Sequence, residues 1–243
     1  MIKIKNANKT FQKDKPSEFQ ALKNVDLTIE NGELVAIIGK SGAGKTTLLH
    51  IIACIDDFDE GAEYFIDEID ISTLNDKSKA EIRNKEIGIV FQDFALIQDF
   101  TVFENVEVPL ILSKHNKRNR KNKVREALKS VNLENYINKD ITNLSGGEKQ
   151  RIAIARAIVN NPNIILADEP TGSLDTKTGT DIFNLLKGFS DNGKTVVIIT
   201  HDRDIANKCD RIIEIADGKI ISWFNLLTSK IVVIIRSDYY ENN

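Results

Sequence analysis

Gly39-Lys40-Ser41-Gly42-Ala43-Gly44-Lys45-Thr46-Thr47 follows the apolar run Leu34 to Ile38 and leads into the helix-like stretch Thr46 to Cys54. It matches GxxxxGK[ST] in the strand-loop-helix setting where that pattern binds phosphate. Small residues let consecutive backbone N–H groups turn inward onto phosphate oxygens, and the following helix adds its positive N-terminal end. Lys45 can neutralise charge on β- and γ-phosphates, and the Thr46 hydroxyl can ligate Mg²⁺. An ordinary Gly-rich turn needs none of these neighbours, so the spacing predicts a nucleoside triphosphate site.

Two more clusters bear on the same chemistry. Asn163-Ile164-Ile165-Leu166-Ala167-Asp168-Glu169 is an apolar strand ending in two carboxylates. A buried strand can end in acidic residues by chance. In a chain that also has a phosphate loop, Asp168 can hold the Mg²⁺ hydration shell and Glu169 can polarise an attacking water, so hydrolysis is expected. Leu144-Ser145-Gly146-Gly147-Glu148-Lys149-Gln150-Arg151 runs into a helix-like stretch. Ser145, Gly146 and Gly147 there form a second anion site from N–H groups, a hydroxyl and the helix dipole. The plainer alternative is that Ser145 caps the helix while the two glycines break the preceding turn.

The elements that must position these residues show in the hydrophobic pattern. Val25, Leu27 and Ile29 alternate with Asp26, Thr28 and Glu30, and Asn31-Gly32 supplies a turn before Leu34 to Ile38. Short apolar runs recur at Ile87 to Phe91, Ile164 to Ala167, Val196 to Ile199 and Ile212 to Ile215. Helical stretches lie between them: Asn75 to Lys85, Thr101 to Leu112, Lys123 to Val131, Gly146 to Val159 and Thr176 to Phe189. Runs apolar on both faces suit central strands covered by helices, which gives an α/β core sheet with an antiparallel β edge from the early hairpins. From about Asp93 to Asn161 no strand is evident, and an inserted α-helical subdomain is expected there.

Composition excludes several classes. The 243 residues carry 33 basic and 36 acidic side chains, 41% apolar residues and a net charge of -3, as a soluble globular chain does. That balance argues against nucleic acid as a partner, which usually calls for excess Lys and Arg. Cys54 and Cys209 fit no CxxC spacing, so buried thiols in a reducing compartment are expected rather than a zinc site or redox pair. The start MIKIKNANKTF has no apolar core like that of a signal peptide, and no segment offers the ~18 apolar residues of a membrane span. A cytoplasmic location follows as an expectation.

Two segments stand apart. His115 to Arg125 is basic and without apolar periodicity in its first half, which reads as a solvated loop entering a helix. The sharper reading is contact with anionic lipid head groups or an acidic partner. The tail after Trp223 is apolar in patches, but Lys230 interrupts it and it is too short to span a bilayer.

LSGGEKQR between a phosphate loop and a strand ending in Asp-Glu resembles the signature of ATP-binding cassette (ABC) ATPases. The resemblance covers about residues 2 to 222 and implies a P-loop NTPase (RecA-like) fold, with core 2–92 and 162–222, helical subdomain about 93–161, and a divergent tail 223–243. It places Gln92 in the glutamine loop that contacts Mg²⁺, His201 as the switch histidine and Ser173-Leu174-Asp175 as the loop that crosses a dimer. Phe11 sits where the family stacks an aromatic ring on adenine. ABC domains pair head to tail, which implies that ATP on one phosphate loop is covered by Ser145, Gly146 and Gly147 of a second copy. Glu169 and His201 then assist hydrolysis, and Gln92 moves when a membrane partner pushes the inserted helices. His50 and His115 receive the ordinary structural reading, and Lys149, Arg151 and Arg156 are read as solvated or salt-bridged.

FQDFALIQDFTVFENVEVPL and ILADEPTGSLDTKTG look most like the subgroup of macrolide exporters, lipoprotein-releasing systems, antimicrobial-peptide exporters and the bacterial division ATPase. That subgroup implies an ATPase that homodimerises on ATP and drives a separate transmembrane permease, touching the membrane through that partner at its cytoplasmic face. Export or release of a peptide, lipid-linked or drug-like substrate would fit. The alternative is an ATPase that regulates a membrane signalling or cell-division complex without moving cargo. Cys54 to Gly61 lacks the Gly and Pro expected there, and Asp67-Glu68 stands where a glycine turn is usual.

Overall fold

The computed structural model describes residues 1–225 and 230–233. The chain opens with β1 (Ile2–Phe11), β2 (Phe19–Ile29), β3 (Leu34–Ile38), α1 (Lys45–Ile52), β4 (Glu63–Ile66) and β5 (Ile69–Asp70). Next come α2 (Asp76–Glu86), β6 (Ile87–Val90), α3 (Val102–Leu112), α4 (Lys117–Ser130), α5 (Gly146–Ile158), β7 (Ile164–Asp168) and α6 (Thr176–Asp191). It continues with β8 (Thr195–Ile199), α7 (Arg203–Ala206), β9 (Arg211–Ala216), β10 (Lys219–Asn225) and β11 (Lys230–Val233). These elements form two compact units, one of residues 1–74 with those from 197 onward, the other of residues 75–196.

In the first unit, β2, β1, β4 and β5 make an antiparallel sheet in that order. Val25, Leu27 and Ile29 are buried and the residues between them exposed, as the alternation requires. All five residues of β3 are buried, and β3 pairs in parallel with β9. Leu48, Leu49, Ile51 and Ile52 form the buried side of α1. The departures from the family pattern have local explanations. Asp67 takes a left-handed φ of 50°, its N–H reaching the Met1 carbonyl at 2.7 Å and its carboxylate accepting from Asn31 at 3.1 Å. The acidic segment after α1 is fastened to β1 by Lys9–Asp56 at 2.6 Å and by the Thr10 hydroxyl, which donates to Asp59 at 2.8 Å.

In the second unit, β6 and β7 pair in parallel, and α3, α4 and α5 bury Val106, Leu110, Val124, Leu128, Ile152 and Ile154. Between Asp93 and Asn161 the only β pairing is an isolated bridge, Thr101 to Asp140. Capping chemistry sets the helix starts: Thr101 and Glu104 form a capping box at α3, and Ser145 and Glu148 form another at α5.

One expectation is corrected. The basic run is helical from Lys117, not from Lys123, because the Asn116 side chain accepts from the Asn119 N–H and the straight-chain Lys and Arg residues that follow are good helix formers. At the start of the tail, β10 continues to Asn225, with Trp223 opposite Ile213 and Phe224 opposite Ile212 on β9. Apart from the strand at 230–233, the remainder of the tail lies outside the described residues. Cys54 and Cys209 are buried and form no disulfide. No helix among the described residues is long and apolar enough to cross a membrane.

Candidate functional site

The phosphate loop is built within the first unit. The first backbone bond of α1 runs from the Leu48 N–H to the Gly44 carbonyl at 2.9 Å, so the N–H groups of Lys45, Thr46 and Thr47 are left at the helix start with no partner inside the helix. Gly44 has φ 103° and no side chain to cap them. A Cβ on Gly44 would meet the Ala21 carbonyl at 2.6 Å, so β2 presses on the loop and only glycine fits. Lys45 is 8% exposed, and its ammonium donates to the carbonyls of Gly39 at 2.9 Å and Lys40 at 3.0 Å. The loop thereby folds around a fixed positive charge, while Lys40, Ser41, Gly42 and Thr46 face outward and Ala43 is buried.

Phe11 and Phe19 stand opposite each other at the open end of β1 and β2, 38% and 56% exposed, with the Lys9 ammonium 5.1 Å from the Phe11 ring centre. Two residues beyond Phe19 is Ala21, the residue packed on Gly44. An aromatic surface therefore lies along β2 from the phosphate loop; sequence reading singled out Phe11 but not Phe19. His201 is exposed directly after β8, where the Thr200 N–H donates to the Ile37 carbonyl at 3.2 Å, two residues before Gly39. Asp202 caps α7, accepting from the N–H groups of Asp204 and Ile205, so the backbone on both sides of His201 is held.

The second unit carries the carboxylates, the glutamine and the signature. Asp168 ends β7, and Glu169 has a left-handed φ of 45°, a conformation that non-glycine residues adopt only when their surroundings enforce it. The enforcing contacts are the Gly172 N–H, which donates to the Glu169 carbonyl at 3.1 Å, and the buried Gln150 amide, which donates to the Pro170 carbonyl at 2.9 Å. Gln92 and Glu169 come together over Gly172: a Cβ on that glycine would lie 3.3 Å from Glu169 Oε2 and 3.7 Å from Gln92 Nε2. Arg156, read from the sequence as solvated or salt-bridged, donates from its guanidinium to the carbonyls of Phe94 and Ala95, which both have positive φ. The turn just after Gln92 is pinned by that arginine.

Ser145 accepts from the Glu148 N–H at 3.3 Å, and Glu148 Oε2 accepts from the Ser145 N–H at 2.8 Å and hydroxyl at 2.7 Å. Those bonds, with Tyr136 and the charge of Lys139 behind them, hold the Glu148 carboxyl below the usual range. Ser145 thus does cap its helix, yet it, Gly146 and Asp175 are all exposed. A Cβ on Gly147 would lie 2.5 Å from Thr178 Cγ2, and one on Gly146 would lie 3.2 Å from Leu174. The signature glycines and the Ser173-Leu174-Asp175 loop are therefore in contact. Asp175 accepts from the Thr178 N–H at 3.0 Å as the cap of α6, and the Thr178 side chain first and then that N–H lower its pKa.

Thr46, Gln92 and Asp168 offer hard oxygen donors of the kind Mg²⁺ takes. Among the described residues no group of three or more His, Cys, Asp or Glu could hold a metal ion.

The ABC transporter family profile matches residues 22–172. YvrO of Bacillus subtilis, an ABC transporter ATP-binding protein, is 46% identical over 221 residues, covering 91% of this chain and 96% of that one. The macrolide export ATP-binding/permease protein MacB of a Shewanella strain is 41% identical over 222 residues, 91% of this chain but 34% of its own length. The solved dimer of the cassette MJ0796 from Methanocaldococcus jannaschii superposes with a TM-score of 0.85 at 46% identity, covering 93% of this chain and 99% of that one. A second structure of that cassette holds ADP and Pi after hydrolysis. The chain belongs to the ABC transporter ATP-binding family. It is an ATP-binding ATPase subunit with the P-loop NTPase fold.

Proposed function

We propose that two copies of this chain pair head to tail around two ATP molecules and that the cycle of pairing and release drives a membrane permease. The observation that carries this reading is that one chain has two anion-binding helix starts, the Lys45 loop on α1 and the exposed Ser145-Gly146 end of α5. One triphosphate needs a single cradle of this kind, so the second is left to serve another copy's nucleotide. The pairing of MJ0796 supports that arrangement.

Within it, Lys40, Ser41, Gly42, Ala43, Gly44 and Thr47 wrap the phosphates with Gly39 and Lys45, and Phe11 stacks on the base. Thr46, Gln92 and Asp168 would hold Mg²⁺, which would supply positive charge to offset the negative charge of the phosphates. Glu169 accepts a hydrogen bond from the attacking water, and its enforced backbone conformation fixes the direction of its carboxylate. His201 donates to the γ-phosphate oxygens, and Asp175 meets the partner copy.

A separate permease, with this subunit peripheral at its cytoplasmic face, is supported by the likeness to YvrO, an ATP-binding protein matched over 96% of its length. The likeness to MacB, a macrolide export protein, favours export of a drug-like substrate, and a peptide or lipid-linked one fits the same reading. Glu169→Gln should bind ATP, stall, and elute as a dimer in ATP and a monomer without it. A monomer at high concentration with ATP bound would refute the pairing.

A further inference from the structure

Seven Lys or Arg residues and no Asp or Glu lie between Lys114 and Arg125, in a chain whose net charge is -3. The fold gathers six of them on α4 and leaves most of those outward. Val124, Ala127 and Leu128 form the buried side of α4. Among the described residues Arg120 is the one basic residue of the run with an ion pair: it pairs with Glu107 at 2.6 Å and donates to the His115 carbonyl at 2.8 Å. Lys117, Arg118, Lys121 and Arg125 are all exposed, and the 118, 121 and 125 spacing puts those three on a single face.

The corner where α3 turns into α4 adds an apolar element. Ile111 and Leu112, at the end of α3, are 51% and 69% exposed and reach α4 through only Ser113 to Asn116. Leu112, His115 and Lys123 also line a cavity of about 950 Å³, together with Lys77, Arg83 and Lys85 of α2. Four of the lining side chains besides Arg156 are Lys or Arg, against Glu81 as the one carboxylate in the lining.

We infer that the α3–α4 corner docks on an anionic phospholipid surface, Lys117, Arg118, Lys121 and Arg125 meeting the head groups while Ile111 and Leu112 enter the interfacial layer. A cationic stripe flanked by exposed aliphatic side chains is the chemistry of such contact, and each Lys or Arg near an anionic leaflet strengthens partitioning roughly fivefold. An acidic protein surface would satisfy the charges but gives no account of two aliphatic side chains at the same corner. This contact is the subunit's own, additional to whatever the permease provides, and independent of nucleotide.

The test is sedimentation of the full chain with vesicles of phosphatidylcholine alone or with about one third phosphatidylglycerol. The wild type should bind only the anionic vesicles and be released by high salt. The triple variant Arg118→Glu, Lys121→Glu, Arg125→Glu should lose binding on the order of a hundredfold, and Leu112→Ser should lose a smaller part. Basal ATPase activity and melting temperature should stay at wild-type values in both, which excludes misfolding as the cause. Equal binding by wild type and triple variant, or no preference for anionic vesicles, overturns the inference. So does a triple variant that binds vesicles normally but no longer co-purifies with the permease, which would assign the stripe to an acidic protein surface.

Discussion

The side-chain amide of Gln150, fully buried in α5, donates a 2.9 Å hydrogen bond to the carbonyl of Pro170, the residue that follows Glu169. The helix that begins with the signature is thereby tied to the turn that aims the carboxylate. Removing the amide leaves a buried carbonyl without its donor, at a cost of about 1–3 kcal/mol. Gln150→Leu should therefore lower stability by that amount in urea unfolding. Its kcat should fall severalfold with KM for ATP near the wild-type value, because the phosphate loop lies elsewhere in the chain. Unchanged kcat would mean that the tie does not hold Glu169.

Gly147 and Thr178 make a second relationship that can be tested by compensation. A Cβ on Gly147 meets Thr178 Cγ2 at 2.5 Å, a methyl group that serine lacks. Gly147→Ala should abolish ATP-dependent pairing and reduce turnover at least tenfold while nucleotide affinity is retained, since overpacking a tight contact costs about 1–3 kcal/mol. Adding Thr178→Ser should restore much of the loss. Size-exclusion chromatography with ATP, run on the single and double variants, reads both effects.

Much of this site was legible in the sequence because phosphate binding is local: the loop, its strand and its helix are contiguous from Leu34 to Ile52, and the helix starts at Thr101 and Ser145 are written in their own capping residues. What the sequence did not disclose depends on residues distant along the chain. Gln150 reads as one more polar residue until the fold buries it against Pro170, and Arg156 reads as a surface charge until its guanidinium reaches Phe94 and Ala95. Phe19 is conspicuous only as the cross-strand neighbour of Phe11. The helical start at Lys117 was hidden because a run of cations has no apolar period, while the propensity and cap that favour the helix are weak signals taken singly.

Acid should weaken the signature end of α5. The Glu148 carboxyl is held below its ordinary value, chiefly by the Ser145 hydroxyl and then by the Ser145 N–H, so its ionised form is favoured in the folded chain. The stabilisation it gives is complete above the unfolded value of about 4.3 and disappears as pH falls through the lowered folded value. Wild type should melt higher than Glu148→Ala at neutral pH, and the gap should close as pH drops below about 4. A gap that persists into strong acid would show that the carboxylate charge plays no part in the cap.

The shared-pocket account is tested most directly by complementation between two inactive chains. Lys45→Ala removes the cation from the phosphate loop, and Ser145→Arg obstructs the signature end of α5; each alone should be inactive, because every site in its homodimer lacks one half. A head-to-tail pair of one Lys45→Ala copy and one Ser145→Arg copy contains one site with an intact Lys45 and an intact Ser145. Mixed under conditions that let protomers exchange, the two should regain ATP hydrolysis well above either alone. No gain, with exchange verified by labelled chains, would show that each copy completes its reaction centre without the other.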